Sequence, residues 1–126
     1  MINFDSSQAI YLQIAEFMSE KVLADEWPVN ERIPSVREVA AMVQVNPNTV
    51  MRSFAHLQDQ GVIFNKRGVG YFVAETGKEQ VQAMKKESFV EKLLPQVFHE
   101  ANLLAVTPDE LKVLYENYQA QQSTAL

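Results

Sequence analysis

The sequence has 126 residues, enough for one ordinary domain or for one small domain with an appendage. Hydrophobic residues make up 47% and charged residues 21%, a balance typical of a globular chain. Cysteine is absent, which excludes a disulfide framework and a thiolate metal site. No stretch resembles a secretion signal or reaches the roughly 18 apolar residues of a membrane span. We therefore expect a cytoplasmic protein with no membrane partner.

The net charge of −5 argues against nucleic-acid binding, because a basic surface is the usual sign of that function. The charge is unevenly distributed, however. Between Arg32 and Gly70 five basic residues stand against two acidic ones, whereas the rest of the chain is strongly acidic. A small basic region on an acidic protein suits binding through specific contacts more than through bulk charge.

Capping patterns indicate where helices begin. Ser35–Glu38, Thr76–Glu79 and Thr107–Glu110 each have Ser or Thr followed three residues later by Glu, the pattern of a capping box. Asn46 before Pro47 indicates another helix start, because proline is favoured at the first helical position. These patterns place helix starts at four positions along the chain.

Apolar spacing predicts helices at about 7–25, 35–43 and 47–60. Two short β-rich runs follow at 62–64 and 71–73, joined by a connection with two glycines and a basic pair, which indicates a hairpin. Three helices followed by a hairpin are typical of a winged helix-turn-helix. We assign this DNA-binding domain to residues 1–75.

After residue 76 the pattern is entirely helical. An apolar seam resembles that of a coiled coil; its members are Val90, Leu94, Val97, Ala101 and Leu104. Pro95 lies inside the pattern and should kink or restart the helix. A second amphipathic helix, from about Leu111 to Tyr118, covers only part of the apolar surface, so we interpret 76–126 as a dimerisation segment. A purely intramolecular core is the alternative. The expected fold class is mainly α with a small β-hairpin, a winged helix-turn-helix followed by a two-helix C-terminal segment.

The third helix has the two faces that a recognition helix needs. Its apolar face is made by Val50 and residues one and two turns further on. Asn48, Thr49 and Arg52 lie opposite. Asn pairs bidentately with adenine, Arg pairs with guanine, and Thr contacts a phosphate or a thymine methyl. This pattern predicts that the helix enters the major groove of double-stranded DNA.

Residues outside the recognition helix complete the predicted DNA-binding surface. Ser35 and the N–H groups at the start of the second helix would attract a phosphate, and Arg37 would reach a phosphate or the groove. The hairpin tip would enter the minor groove or contact its backbone; the residues proposed there are Lys66, Arg67, Gly68 and Gly70.

Four blocks of sequence together resemble the GntR family of regulators: IPSVREVA at 33–40, VNPNTVMR at 45–52, GVI at 61–63 and RGVGYFV at 67–73. The VNPNTV string and the short tail resemble the YtrA-like subfamily. The resemblance covers about residues 8–75 and, less specifically, the tail. It implies that Arg37 and four residues of the recognition region contact DNA, namely Asn46, Asn48, Thr49 and Arg52. It also implies a wing, Gly68–Gly70, at the minor groove.

The chain departs from the wider family in the recognition helix. Many GntR proteins carry a Ser-Arg-Thr-Thr-Val-Arg run, and the matching run here is 46–51, which ends in Met51 instead of arginine. The arginine lies one position later, at Arg52. The base preference of the wider family therefore does not transfer to this chain.

These features favour a sequence-specific DNA-binding regulator, most simply a repressor, that acts as a homodimer on a palindromic operator. The alternative is a winged-helix protein-interaction module that does not read DNA. Some GntR relatives fuse this head to an aminotransferase-like domain, but about 50 residues follow it here, too few for such a domain. We expect no catalytic residue, no metal site and no cofactor. A small-molecule effector is left open, as are the target genes.

Overall fold

The computed structural model describes residues 2, 4, 5 and 7–124. Its elements are, in chain order, α1 (Ile10–Leu23), α2 (Val36–Val43), α3 (Pro47–Asp59), β1 (Ile63–Lys66), β2 (Gly70–Val73), α4 (Gly77–Ser88), a π-helical stretch (Phe89–Leu93), α5 (Leu94–Leu103) and α6 (Pro108–Thr124). The predicted fold class, mainly α with a small hairpin, is confirmed. The chain divides between Lys85 and Lys86 into two compact units. Within the described residues, no helix has the length and apolar character that crossing a membrane requires.

The core of the first unit lies where α1 packs against α3. Ile14 and Met18 of α1 and Phe54 of α3 are completely buried. Ser53 is also buried, and its hydroxyl donates a hydrogen bond of 2.7 Å to the Tyr11 carbonyl, so the polar group is satisfied. This packing fixes α3 with its opposite side outward.

The helix-turn-helix is defined by its caps. Ser35 and Glu38 form the predicted capping box at the start of α2. Gln44 ends α2 in the left-handed conformation, with φ of 57°. The Asn46 side chain then accepts from the Asn48 N–H at 2.8 Å and begins α3. Gln44 and Asn46 thus set the tight turn between the two helices.

The predicted hairpin is antiparallel, with Ile63 opposite Val73 and Lys66 opposite Gly70. A third segment joins its edge, because Arg32 pairs with Phe72 in an isolated antiparallel bridge. The segment before α2 is therefore bound to the wing through backbone hydrogen bonds. The sequence did not indicate this third segment.

The first unit extends beyond residue 75, because it includes most of α4. Val81 of α4 is buried with the winged-helix core. The boundary between compact units thus lies ten residues after the predicted domain boundary. The division of the chain into a DNA-binding and a dimerisation segment stays a prediction.

The second unit is built from two helical runs. The π-helical stretch continues directly into α5, where Pro95 is the second residue. The Leu94 N–H donates to the Phe89 carbonyl, five residues back, so the widened turn comes immediately before the proline. The hydrogen-bonding pattern of the helix thus changes just before Pro95, whereas the kink expected at this residue stays a prediction. Thr107 and Glu110 cap α6 reciprocally, at 3.2 and 3.3 Å, as predicted.

Candidate nucleic-acid interface

The outward side of α3 carries most of the predicted recognition residues. Asn48 and Arg52 are exposed, and Thr49 is half-buried at the flank. Met51 is 49% exposed on the other flank, which gives the face an apolar component. The sequence pattern predicts only polar residues on this face, and the structure adds the apolar Met51 beside them. A methionine there can contact a thymine methyl group, an apolar feature of the major groove.

Arg52 is held by an aromatic ring from another helix. Its guanidinium carbon lies 4.1 Å from the ring centroid of Tyr11 in α1. The Tyr11 ring also meets His56 edge-on, with centroids 6.1 Å apart. A cation over an aromatic face at this distance is attracted by the ring's quadrupole. The sequence does not indicate this contact, because Tyr11 lies 41 residues before Arg52 in the chain.

The start of α2 combines a cap with an exposed cation. The Ser35 N–H donates to the Glu38 carboxylate and the Glu38 N–H donates to the Ser35 hydroxyl, both at 3.1 Å. Hydrogen bonding to the carboxylate from the Ser35 backbone, and then from the Ser35 side chain, lowers the pKa of Glu38, and the charge of Arg32 adds a smaller lowering. Arg37, the second residue of α2, is exposed. Because the Ser35 hydroxyl accepts from the Glu38 N–H, it is already engaged in the cap of α2.

Asn46 is exposed, but its side-chain oxygen is committed to the α3 cap. Its amide group retains two N–H donors for another partner. Asn46 can therefore both begin α3 and donate to an acceptor such as a phosphate oxygen. The resemblance to the GntR family predicts that Asn46 contacts DNA, and the capping pattern predicts that Asn46 begins α3.

The wing presents cations and glycines at its tip. Lys66, Arg67 and Gly68 are exposed, and Gly68 adopts a φ of 77°, which favours glycine. The Lys66 ammonium lies 5.2 Å from the Phe72 ring centroid. Gly70 is half-buried with a φ of 144°. The hairpin thus places two cations beside a backbone that a ligand can approach closely.

The elements that carry these residues adjoin one another within the first unit. α3 packs against α2 and against β1, and the ring of Phe54 in α3 lies 4.8 Å from that of Tyr71 in β2. Exposed backbone donors, amides and cations therefore come from neighbouring elements. Such groups bind anions and base edges. No cluster of three metal-ligating side chains occurs among the residues that the structure describes.

The residues of the predicted dimerisation seam differ in how far they are buried within the chain. Val90, Val97 and Leu104 are exposed, and Leu104 retains 71% of its accessible surface. Leu94 is half-buried and Ala101 is buried within the chain. The seam therefore offers three of its five members as free apolar surface. Further exposed apolar residues of the second unit include Phe89, Leu93, Phe98, Leu103, Val113, Leu114, Tyr115 and Tyr118.

Comparison with known proteins places this chain among bacterial transcription regulators. Residues 10–73 match the family described as bacterial regulatory proteins, gntR family. The repressor YtrA of Bacillus subtilis is 34% identical over 118 residues, which cover 92% of this chain and 88% of the relative. The uncharacterized regulator YhcF of the same organism is 32% identical over 108 residues, which cover 86% of this chain and 88% of YhcF.

A solved structure agrees with these relatives. A GntR-family transcriptional regulator of Bacteroides thetaiotaomicron, known from a crystal structure, is 39% identical in sequence to this chain. The two structures match with a TM-score of 0.75 over 90% of this chain and 99% of that one. The relatives are regulators of transcription and not enzymes. The chain therefore belongs to the gntR family of bacterial regulatory proteins, and its relatives support the YtrA-like subfamily.

Proposed function

We propose that this DNA-binding transcription regulator is a sequence-specific repressor that acts as a homodimer on a palindromic operator. The observation that carries the proposal is the outward face of α3, whose capped first turns present Asn48 and Arg52 as exposed side chains. The wing of the same compact unit presents Lys66 and Arg67, which are also exposed. In a helix-turn-helix protein, the N-terminal residues of the second helix contact base edges in the major groove. Repression is favoured by the similarity to YtrA, which is named as a repressor.

The contacts divide into two classes by chemistry. Asn48, Arg52 and Thr49 are proposed to contact base edges, because they lie on the first turns of α3. Ser35, Arg37 and Asn46 are proposed to contact the backbone near the start of each helix. The wing residues Lys66, Arg67, Gly68 and Gly70 are proposed to lie at the adjacent minor groove.

The homodimer is supported by the exposed apolar surface of the second unit. No residue of α6 between Pro108 and Thr124 is buried, although this helix carries Leu114 and Tyr118. Helices of this length gain most of their stability from packing rather than from propensity. A second copy, related by a twofold axis, would cover these side chains and place two recognition helices one helical turn apart, roughly 34 Å.

The first test is selection of bound fragments from the source genome. Wild type is compared with Arg37→Ala/Arg52→Ala, and Lys78→Ala/Lys86→Ala serves as the control, with the same loss of charge outside α3, the wing and α6. We expect wild type and the control to enrich one palindromic motif and the arginine variant to enrich none. Enrichment of no motif by wild type would overturn the proposal.

Arg52 is then tested alone on the selected operator and on a random duplex. A bidentate contact to a base contributes about 1–3 kcal/mol of discrimination, so Arg52→Ala should lower the preference for the operator by about tenfold or more. Fluorescence anisotropy on both duplexes measures this ratio. An equal loss on both would assign Arg52 to a phosphate instead of a base.

A further inference from the structure

Arg32 is the basic residue of the 32–70 region to which the proposed function assigns no role. Its backbone is bound to the wing, because it pairs with Phe72 in the isolated bridge. Two hydrogen bonds flank that bridge. The Ile33 N–H donates to the Tyr71 carbonyl at 2.9 Å, and the Val73 N–H donates to the Glu31 carbonyl at 3.1 Å. The base of the Arg32 side chain is therefore fixed on the edge of the hairpin.

The far end of the Arg32 side chain lies over Gly70. A methyl group added at Gly70 would stand 2.8 Å from Nε of Arg32, 3.4 Å from Cζ and 3.5 Å from one terminal nitrogen. The first distance is shorter than any ordinary contact of a carbon atom, so the guanidinium would have to move. At Gly68, an added methyl group would meet nothing within 4 Å. The absence of a side chain therefore leaves space for the Arg32 guanidinium at Gly70, but leaves space for no neighbouring group at Gly68.

The charge of Arg32 is available to a ligand. Its side chain is exposed and forms no ion pair within 4 Å with any other residue that the structure describes. It lies near enough to Glu38 to act on that carboxylate, whose oxygen is already occupied by the cap of α2. The guanidinium thus lies over Gly70 of the wing and acts on Glu38 of α2, and the proposed function assigns DNA contacts to both elements.

We propose that Arg32 contacts a DNA phosphate beside the wing, and that Gly70 is a positioning residue that gives the guanidinium its place. This inference rests on the proposed function. A guanidinium binds phosphate oxygens through two parallel N–H donors, which requires a fixed orientation. Gly70 keeps its proposed place at the minor groove, but its contribution to affinity comes through the orientation of Arg32.

The charge contact is tested with the operator selected by wild type and with a random duplex. Arg32→Ala should weaken binding to both by a similar factor, about tenfold. The slope of log affinity against log salt concentration should fall by about one for each protein chain bound. Lys86→Ala, which removes another exposed cation, should change neither quantity. Unfolding curves show whether each variant is folded.

The positioning role is tested by a double-mutant cycle. Gly70→Ala should weaken binding and lower the salt slope in the wild-type background, and should add nothing once Arg32→Ala is present. Gly68→Ala is the control for a methyl group added to a wing glycine of positive φ where no neighbour is met; its φ is 77°, against 144° at Gly70. The double-mutant cycle removes the difference in backbone strain, because that strain is present with and without Arg32. The effect of Gly68→Ala should be the same in both backgrounds.

Each result decides a separate point. If wild type binds the operator but Arg32→Ala leaves affinity and salt slope unchanged, the inference is wrong and the proposed function stands. If Gly70→Ala is equally harmful with and without Arg32, backbone strain explains Gly70 and the positioning role is overturned. If wild type binds neither duplex, the proposed function itself fails.

Discussion

At the scale of single residues, two guanidinium groups are held by neighbours from other elements. Arg52 of α3 lies over Tyr11 of α1, and Arg32 lies over Gly70 of β2. Fixing a long, flexible side chain on binding costs about 1.5–2 kcal/mol of rotamer entropy. A side chain that is already oriented loses less when DNA binds, so more of its interaction energy contributes to affinity.

Tyr11 should act as a positioning residue for Arg52. A cation over an exposed aromatic ring contributes about 0.5–1 kcal/mol, so Tyr11→Leu should lower the preference for the operator by about threefold. Tyr11→Phe keeps the ring and should retain the preference. Fluorescence anisotropy on the operator and on a random duplex measures both variants. A threefold loss that persists in the Arg52→Ala background would refute the positioning role, because Tyr11 would then act without the arginine.

Helical periodicity was sufficient to predict that Asn48 and Arg52 are exposed, because side chains four residues apart share a face of a helix. It could not predict that Arg52 lies on Tyr11, since that contact depends on how α1 crosses α3. It also could not identify Arg32 as part of the wing. A bridge of one residue pair has no alternating pattern, so the sequence carried no signal for it.

At the scale of elements, local chemistry sets the start of several helices. Ser35, Asn46 and Thr107 all make the side-chain caps that their neighbours in sequence predicted. Each cap needs only residues within three positions, so short-range sequence is enough to specify it. The π-helical stretch before Pro95 is different, because the sequence marked a break but not the shift to hydrogen bonds five residues apart.

The capping box of α2 should make stability depend on pH. Because the folded-state pKa of Glu38 is lowered from 4.5, its contribution is complete above that ordinary value and is lost as pH falls through the folded-state value. Glu38→Gln cannot titrate at this position. The difference in unfolding free energy between wild type and Glu38→Gln, measured by urea denaturation, should therefore be constant at neutral pH and shrink as the pH falls below about 4.5. A difference that stays constant as the pH falls below this value would disprove the role of the Glu38 charge.

At the scale of the whole molecule, apolar exposure is concentrated in the second unit. Beyond Lys85, large exposed side chains recur through the π-helical stretch, α5 and α6. Soluble monomers rarely expose contiguous apolar surface on this scale unless a partner covers it. The seam in the sequence predicted an apolar helix, but only the structure shows that Ala101 is buried while Leu104 is not. Burial depends on how the turn after α5 folds back, through the Val106 N–H to the Ala101 carbonyl at 2.8 Å.

Dimerisation should therefore be separable from folding. Leu104 is 71% exposed in the single chain, so Leu104→Glu should leave the subunit folded. Burying a leucine contributes about 1.5 kcal/mol or more, and the proposed twofold interface would contain Leu104 twice, so the dimer Kd should rise about a hundredfold. Val29→Glu, an exposed position of the first unit, is the control. Sedimentation equilibrium measures the dimer Kd, and a Leu104→Glu variant that dimerises as strongly as wild type would place the interface elsewhere. Operator affinity should fall with the dimer, because a single recognition helix reads only one half-site.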